Sequence, residues 1–159
     1  KLAMVLALAK ASGDKGMAAG QAIDLAAVDN QLALTQLETM HGLKTGALIR
    51  ASVELGARAA GSATSKQLHN LDLYARAIGL AFQVQDDILD VTSSTEVLGK
   101  QQGADEALNK PTYVSLLGLT AARAKAQNLH QQALSALEAF GEQAEPLRQL
   151  SGYIISRTH

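Results

Sequence analysis

The spacing of apolar residues along the chain predicts a succession of helices. Apolar positions recur every three or four residues almost throughout, and no stretch sustains the strict alternation of a half-buried strand. We predict helices over residues 1–10, 15–26, 35–58, 65–91, 112–117, 120–140 and 145–157. Between them we predict a loop over residues 28–33, a turn over 61–64 and an irregular stretch over 92–111. The predicted fold class is therefore all-α.

Three of the predicted helices begin with residues that are typical of helix starts. Thr35 is followed three residues later by Glu38, which predicts a capping box at the start of the helix 35–58. Thr120 is placed to cap the helix 120–140, and Pro146 lies near the start of the last helix. No repeat or linker divides the chain, so we predict one helical domain over residues 1–159.

The segment 77–91 combines a buried pattern with a row of polar residues. Apolar residues line both of its sides, which predicts a central helix. The two apolar flanks are Ile78, Phe82 and Leu89, and Leu80, Val84, Ile88 and Val91. Between them lie Gly79, Gln83, Asp86, Asp87 and Asp90. Three carboxylates so close together repel one another unless a cation binds, and oxygen ligands suit Mg²⁺. The alternative is an exposed helix end, where the aspartates are solvated.

Two other helices also place polar groups among apolar ones. Lys44 falls in the apolar stripe of the helix 35–58, and burying its ammonium is costly unless an anion meets it. Gly42 and Gly46 flank Lys44 and Thr45, at a point where a kink can free backbone carbonyls. The alternative is a lysine that extends to solvent. In the helix 15–26, Gln21 and Asp24 lie one turn apart, and the alternative there is a simple polar edge.

The irregular stretch holds two lysines, Lys100 and Lys110, which could close over a phosphate. The alternative is a solvated surface loop. Gly99 and Lys100 do not form a P-loop, because no strand or upstream glycine spacing supports one. Glu38 and His41 form a Glu-x-x-His pair like those of di-iron bundles, but no second pair exists. We therefore interpret His41 as structural.

The amino-acid composition limits which partners the chain can bind and in which compartment it is expected. The net charge is −1, aromatic residues make up 3% and no basic run is present, so nucleic acid is disfavoured as a partner. The absence of cysteine excludes disulfides and thiolate metal sites and fits a cytoplasmic protein. No apolar run reaches the length of a membrane span. The chain starts at Lys1 within a helical pattern, which we interpret as an internal point of a longer protein.

The order of these features resembles the C-terminal half of the trans-isoprenyl diphosphate synthases, most of all the bacterial farnesyl diphosphate synthase (geranyltranstransferase) group. The resemblance covers the whole chain. Its motifs are Gly20-Gln21-x-x-Asp24-Leu25, Lys44-Thr45-Gly46, Phe82-Gln83-x-x-Asp86-Asp87-x-x-Asp90, Gly99-Lys100-x-x-Gly103-x-Asp105, Asn109-Lys110 and the end Tyr153-Ile154-Ile155-Ser156-Arg157. It implies an antiparallel helical bundle of the isoprenoid synthase type, usually a homodimer, that condenses isopentenyl diphosphate with dimethylallyl or geranyl diphosphate.

Roles follow residue by residue from the resemblance. Asp86 and Asp90 would bind Mg²⁺ (or Mn²⁺) that bridges to the allylic diphosphate, and Asp87 would support them. The resemblance implies that Lys44, Lys100 and Lys110 contact the diphosphate. It places Thr45 and Gln83 near the reacting carbon of the substrate. Three further residues would line the pocket: Gln21, Asp24 and Phe82. The family's first aspartate-rich motif and isopentenyl diphosphate site lie upstream of these motifs and are absent here. The chain alone is thus expected to be poorly active or inactive.

The implied mechanism is ionisation of the allylic C–O bond, followed by attack of the isopentenyl double bond and loss of a proton. The implied product is farnesyl diphosphate. Three alternatives remain open: a non-catalytic subunit of a prenyl synthase, a terpene cyclase and a purely structural bundle. The intact aspartates and lysines disfavour the subunit, and the motif order disfavours the cyclase. A structural bundle leaves the three polar stripes unexplained.

Overall fold

The fold is all-α, as predicted. The computed structural model describes residues 1–27, 30, 32–93 and 110–158, and that part of the chain contains no β-strand. Its helices are α1 (Leu2–Ser12), α2 (Met17–Ala26), α3 (Leu34–Lys44), α4 (Gly46–Ala60), α5 (Ser65–Thr92), α6 (Tyr113–Leu117), α7 (Leu119–Ala136) and α8 (Glu145–Ser156), with a 3₁₀ segment at Glu138–Ala144. None of these helices has the length and apolar content needed to cross a membrane.

Helix α5 is the central element, which confirms the prediction from its two apolar flanks. It packs against α3, α4, α6, α7 and α8. Its buried apolar side chains include Tyr74, Ile78, Val84 and Ile88. They join a core that also contains Leu37 and Met40 of α3, Tyr113 of α6, Leu129 of α7, Leu137 just after α7, and Ile154 of α8. The Tyr74 hydroxyl donates a hydrogen bond to the Leu147 carbonyl at 2.9 Å and so ties α5 to α8.

The start of α5 is fixed by a capping box. The Thr64 hydroxyl accepts a hydrogen bond from the Gln67 backbone N–H at 3.2 Å. The Gln67 side-chain oxygen accepts one from the Thr64 N–H at 2.8 Å. Just before it, Gly61 ends α4 with φ at 74°, a left-handed conformation that glycine adopts without strain. The predicted turn over residues 61–64 is confirmed.

The predicted single helix over residues 35–58 is wrong, because the chain breaks at Thr45 into α3 and α4. Thr45 has φ at −112°, and the Ile49 N–H reaches the Thr45 carbonyl only at 3.4 Å.

The predicted capping box at Thr35 is also wrong. The helix starts at Leu34, where the Gln36 side-chain oxygen accepts a hydrogen bond from the Ala33 N–H at 2.8 Å. Glu38 is unavailable for capping because it pairs with Lys125 at 2.5 Å.

The predicted helix over residues 120–140 is displaced at both ends. Gly118, with φ at 80°, precedes Leu119, so Thr120 does not cap α7. The helix stops at Ala136 and continues as the 3₁₀ segment, where Gly141 has φ at 60°. The Arg148 guanidinium donates to the carbonyls of Leu137 at 3.2 Å and Gly141 at 2.7 Å, and so satisfies this irregular backbone. Of the predicted irregular stretch, Thr92 belongs to α5 and residues 94–109 lie outside the described part.

Candidate active site

A polar cleft of about 120 Å³ lies where α2, α3, α5 and the segment before α6 meet. Its walls bring together residues that are up to 88 positions apart in the sequence (24 to 112). The lining residues are Asp24, Ala27, Met40, His41, Lys44, Gln83, Asp86, Asp87, Lys110, Pro111 and Thr112. Six of them were predicted as site residues: Asp24, Lys44, Gln83, Asp86, Asp87 and Lys110.

Two lysines converge on one carboxylate at this cleft. Lys44 Nζ lies 2.7 Å and Lys110 Nζ 3.8 Å from the same oxygen, Asp24 Oδ2. The Asp24 side chain is 12% exposed, while the lysine side chains keep 32% and 30% of their surface open. Asp24 is therefore the anion that meets the partly buried ammonium of Lys44. Both lysines therefore lie on the Asp24 side of the cleft, and Asp86 and Asp87 add two more carboxylates to its lining.

Close packing of α2 against the end of α3 holds the Lys44 backbone in place. A Cβ atom on Gly20 would lie 2.1 Å from the Lys44 nitrogen and 2.5 Å from its Cα. Only glycine fits there, one turn before Asp24 on α2. On the other side of the break, a Cβ on Gly79 of α5 would meet the Gly46 Cα at 3.3 Å. The glycines around Lys44 thus allow four helices, α2 to α5, to meet beside the cleft.

Asp86 brings a negative charge to the opposite wall. Its side chain is 43% exposed, and its Oδ1 pairs with Arg157 Nη2 at 2.5 Å. The Gln83 amide nitrogen lies 3.5 Å from Asp86 Oδ2. Arg157 also stacks on the Phe82 ring at 4.4 Å and donates to the Phe82 carbonyl at 3.3 Å. The end of the chain therefore fixes one side of the Asp86 carboxylate, and the other side lies at the cleft.

The other two aspartates of the cluster are buried. Asp87 Oδ2 accepts a hydrogen bond from the Tyr113 backbone N–H at 2.6 Å, which joins α5 to the start of α6. Asp90 is 2% exposed and does not border the cleft. Over residues 1–27, 30, 32–93 and 110–158, no three acidic, histidine or cysteine side chains are grouped closely enough to hold a metal ion. The metal roles of Asp86, Asp87 and Asp90 stay predictions.

His41 lines the same cleft as Lys44 and Gln83. Its ring stacks on Tyr113, with centroids 5.6 Å apart and planes 23° apart. Burial is the largest cause that lowers the pKa of the His41 imidazole to about 4, with a smaller contribution from Lys44. The Gln83 side chain acts in the opposite direction and raises it in part. Burial also raises the pKa of the Tyr113 phenol. His41 is therefore a neutral ring at pH 7.

Several predicted site residues lie beside the cleft rather than on it. Thr45 occupies the break between α3 and α4, and Gln21 lies half-buried on α2. Phe82 is half-buried under the Arg157 guanidinium. None of Thr45, Gln21, Phe82 and Asp90 borders the cleft. Lys100 lies outside the described residues.

Sequence reasoning missed two residues of the site. His41 was interpreted as structural because it failed the di-iron pattern, although its position three residues before Lys44 places both on one face of α3. Arg157 belongs to the matching end Tyr153 to Arg157, but no role was predicted for it, because its partner Asp86 lies 71 residues away in sequence. The assembled site places two lysines, Lys44 and Lys110, in one polar cleft with the carboxylates of Asp24, Asp86 and Asp87.

Comparison with known proteins identifies relatives that span the same helices. Residues 3–149 match the family model described as polyprenyl synthetase. The chain is 51% identical over 160 residues to the farnesyl diphosphate synthase of Escherichia coli, covering 99% of this chain and 54% of that protein. It is 48% identical over 158 residues to the farnesyl diphosphate synthase of Haemophilus influenzae, covering 99% and 53%.

A solved structure shows the same fold. It is a geranyltransferase from Helicobacter pylori complexed with magnesium and isoprenyl diphosphate, with 37% identity and a TM-score of 0.80 over 97% of this chain and 50% of that one. The predicted isoprenoid synthase type of bundle is therefore confirmed, and so is the resemblance drawn from the motifs. The chain spans about half the length of the curated relatives it matches.

Proposed function

The chain belongs to the polyprenyl synthetase family, and from that premise we propose that its cleft binds the diphosphate of an allylic substrate during prenyl transfer. The observation that carries the proposal is the convergence of Lys44 and Lys110 on Asp24, with the Asp86 carboxylate in the same cleft. A diphosphate carries several negative charges, and two lysines that share one carboxylate have positive charge to offer it.

Asp86 is the residue that fits a metal at this site. Its carboxylate supplies oxygen ligands, which Mg²⁺ prefers, and 43% of its side chain is open to solvent. Mg²⁺, or Mn²⁺ in its place, would neutralise charge that develops on the departing diphosphate. Asp90 and Asp87 are the further predicted ligands. Asp87 accepts a hydrogen bond from the Tyr113 backbone N–H, so it also supports the cluster by joining α5 to the start of α6.

The chain's own residues stabilise the separation of charge when the allylic C–O bond breaks. Lys44 and Lys110 hold the diphosphate oxygens as they gain charge. The Gln83 amide oxygen offers partial negative charge to the allylic carbon without forming a bond to it. The resemblance implies the same role for the Thr45 hydroxyl, although Thr45 lies beside the cleft rather than on its lining. The double bond of isopentenyl diphosphate then forms the new C–C bond, and the proton lost passes to the diphosphate. Phe82 would keep the growing tail away from water.

The full reaction is proposed from the relatives. We propose isopentenyl diphosphate and dimethylallyl or geranyl diphosphate as substrates, and farnesyl diphosphate as product, because the E. coli and H. influenzae relatives are named for that product. A homodimer in the cytoplasm stays a prediction from the sequence. The exposed apolar side chains of α1, Leu2 at 83% and Val5 at 64%, support burial of that face against another surface.

Replacing Asp86 tests the site. In the complete gene product, Asp86→Ala removes the exposed carboxylate of the cleft, and we expect turnover of allylic diphosphate to fall by about 100-fold or more. The measurement is incorporation of labelled isopentenyl diphosphate at saturating Mg²⁺. Asp72→Ala removes a carboxylate from the same helix, where it pairs with Arg50 and Arg76 away from the cleft. That control should keep turnover within about twofold per folded molecule. Near-normal turnover of Asp86→Ala would contradict the assignment of Asp86 as a metal ligand.

A further inference from the structure

Tyr113 is the first residue of α6 and directly follows a wall of the cleft. Lys110, Pro111 and Thr112 line the cleft, and the next side chain, that of Tyr113, is fully buried. The Tyr113 backbone N–H donates to Asp87 Oδ2 at 2.6 Å, in buried surroundings where water does not compete. Tyr113 therefore joins the segment that carries Lys110 to the aspartate cluster of α5.

The chain between Lys110 and Tyr113 has little freedom to bend. Pro111 has a fixed φ and favours extended backbone at the residue before it, Lys110. Thr112 is extended as well, with φ at −124° and ψ at 163°. The Thr112 hydroxyl accepts a hydrogen bond from the Ser115 N–H at 3.0 Å, and the Ser115 hydroxyl accepts one from the Thr112 N–H at 2.9 Å. A shift of Tyr113 would therefore be passed on to Lys110.

Side chains of α3 and α7 enclose the Tyr113 ring. The His41 ring of α3 stacks on it, with centroids 5.6 Å apart. Lys125 Nζ of α7 lies 5.8 Å from the ring centroid, within range of a cation–π contact. Glu38 of α3 pairs with Lys125 at 2.5 Å and so holds it beside the ring. These contacts use the ring alone, because the Tyr113 hydroxyl is buried and has no hydrogen-bond partner among the described residues.

The position of Lys110 depends more on this anchor than on the other charged contact of Lys110. Its Nζ lies 3.8 Å from Asp24 Oδ2, which is too long for a hydrogen bond. Lys110 also keeps 30% of its side-chain surface open, so its own packing does not fix it. Tyr113 by contrast belongs to the hydrophobic core and is bonded to Asp87 through its backbone.

We propose that Tyr113 is a positioning residue, whose enclosed ring sets the distance between Lys110 and the aspartate cluster so that both can hold one diphosphate. This role rests on the proposed function, but the anchoring of Tyr113 does not. If the ring acts through Lys110, its loss weakens binding of the allylic diphosphate, and that loss disappears once Lys110 is gone. A merely structural residue would lower activity by the same factor with and without Lys110.

A double-mutant cycle in the complete gene product tests this role. Tyr113→Leu removes the ring and keeps the backbone N–H, and Lys110→Met removes the ammonium. Per folded molecule, we expect Tyr113→Leu to raise KM for the allylic diphosphate about tenfold, with kcat within about threefold. In the Lys110→Met background the same change should raise KM by less than about twofold. An equal rise in both backgrounds, or a loss confined to kcat, would overturn the proposal.

Two further variants separate the ring from the hydroxyl and from the loss of any tyrosine. Tyr113→Phe keeps the ring, so its KM should return to within about twofold of the parent value. Tyr153→Leu removes an exposed tyrosine from α8 and should also leave KM within about twofold. A raised KM in Tyr113→Phe would contradict a role for the ring.

Hydrogen exchange gives a readout that needs no activity. In the protein without substrate, the peptide 112–117 should exchange faster in Tyr113→Leu and in Lys125→Met than in the parent, and at the parent rate in Tyr113→Phe. The peptide 145–156 of α8 is the internal reference. The Lys125 side chain is 24% exposed, so Lys125→Met leaves the core intact and tests the anchor even where Tyr113→Leu does not fold.

The exchange and activity results together distinguish the two proposals. Unchanged exchange of residues 112–117 in Lys125→Met would overturn the anchoring of Tyr113. If the exchange pattern holds but the parent protein shows no prenyl transfer, the proposed function fails and the positioning role fails with it, while the anchoring stands. If prenyl transfer is present but the KM effect of Tyr113→Leu persists without Lys110, only the positioning role fails.

Discussion

At the scale of single residues, the cleft is organised around the Asp24 carboxylate. Lys44 forms the short contact at 2.7 Å and Lys110 the long one at 3.8 Å. The two lysines are therefore not equivalent. Removing Lys44 would leave a nearly buried Asp24 without its close partner, which costs stability. Removing Lys110 leaves the pair of Lys44 and Asp24 intact, so a loss of activity in that variant reports on ligand binding alone.

Lys110→Met should therefore weaken binding of the allylic diphosphate without unfolding the protein. Hydrogen bonds to charged groups contribute about 1.5–3 kcal/mol, so we expect kcat/KM to fall roughly 10- to 100-fold. Lys66→Met, at an exposed position in the first turn of α5, is the matched control and should keep kcat/KM within about twofold. Steady-state kinetics with varied allylic diphosphate measures both. Equal values for the two variants would contradict a role for Lys110 in binding.

His41 makes stability depend on pH. Its pKa is lowered from 6.5 to about 4 in the folded protein, so the unfolded chain binds its proton first as pH falls. The stabilisation is present above pH 6.5 and is lost toward pH 4, which amounts to roughly 2 kcal/mol between pH 7 and pH 5. Urea unfolding should show a steeper loss over this range in the parent protein than in His41→Phe. Parallel losses would show that the imidazole is not buried neutral.

The sequence predicted the charged members of this site better than their contacts. Lys44 was identified because an ammonium in an apolar stripe needs an anion. Its partner Asp24 was predicted as a pocket residue, but the pairing depends on how α2 and α3 pack. His41 was missed because a histidine beside apolar residues is compatible with many roles. Its stacking on Tyr113 joins residues 72 positions apart (41 to 113), which no periodicity reveals.

At the scale of elements, the helices followed from apolar spacing, whereas the break at Thr45 did not. The pattern of residues 35–58 is continuous, so periodicity alone predicted one helix. Gly42 and Gly46 indicated a weak point, but only tertiary packing decides whether a weak point becomes a break. Here α2 and α5 approach the chain closely on either side of Thr45, at Gly20 and Gly79. The site therefore depends on close contacts between backbones.

Gly20→Ala should disrupt that packing. Its Cβ would meet backbone atoms of Lys44 at 2.1 and 2.5 Å, which cannot move aside as a side chain can. We expect a loss of about 3 kcal/mol in the free energy of unfolding, since α2 and α3 must separate. Gly56→Ala in α4 is the matched control. Its Cβ meets nothing within 4 Å, so stability should rise by about 0.5–1 kcal/mol. Urea denaturation compares the two, and a stable Gly20→Ala would refute the close contact.

At the scale of the whole molecule, the end of the chain returns to the central helix. Arg157 pairs with Asp86, and the Gln85 amide donates to the Arg157 carbonyl at 3.2 Å. The Ser93 hydroxyl donates to the Thr158 carbonyl at 3.3 Å. These contacts join residues 65 to 72 positions apart in the sequence, so local sequence patterns could not predict any of them. The helical class was predictable, but the closure of the chain on its aspartate cluster was not.

Arg157→Met should weaken the contact between the C-terminal segment and the central helix α5. Its guanidinium side chain is 10% exposed and contacts Asp86 and the Phe82 ring. Because Asp86 is 43% exposed, we expect a modest loss of about 1 kcal/mol in the free energy of unfolding. Arg58→Met removes the exposed pair with Glu54 and should change stability by less than about 0.5 kcal/mol. Unfolding curves that coincide for the two variants would mean that the contact with Asp86 adds nothing to stability.

We propose that this chain contributes a metal-dependent diphosphate site to prenyl transfer. The most direct test is incorporation of labelled isopentenyl diphosphate by the complete gene product, with geranyl or dimethylallyl diphosphate as acceptor, in Mg²⁺ and in chelator, followed by sizing of the product. We expect incorporation that needs Mg²⁺ and yields a C15 chain. A different chain length would change only the product assignment. No incorporation from folded protein would contradict the claim and favour a non-catalytic subunit or a cyclase.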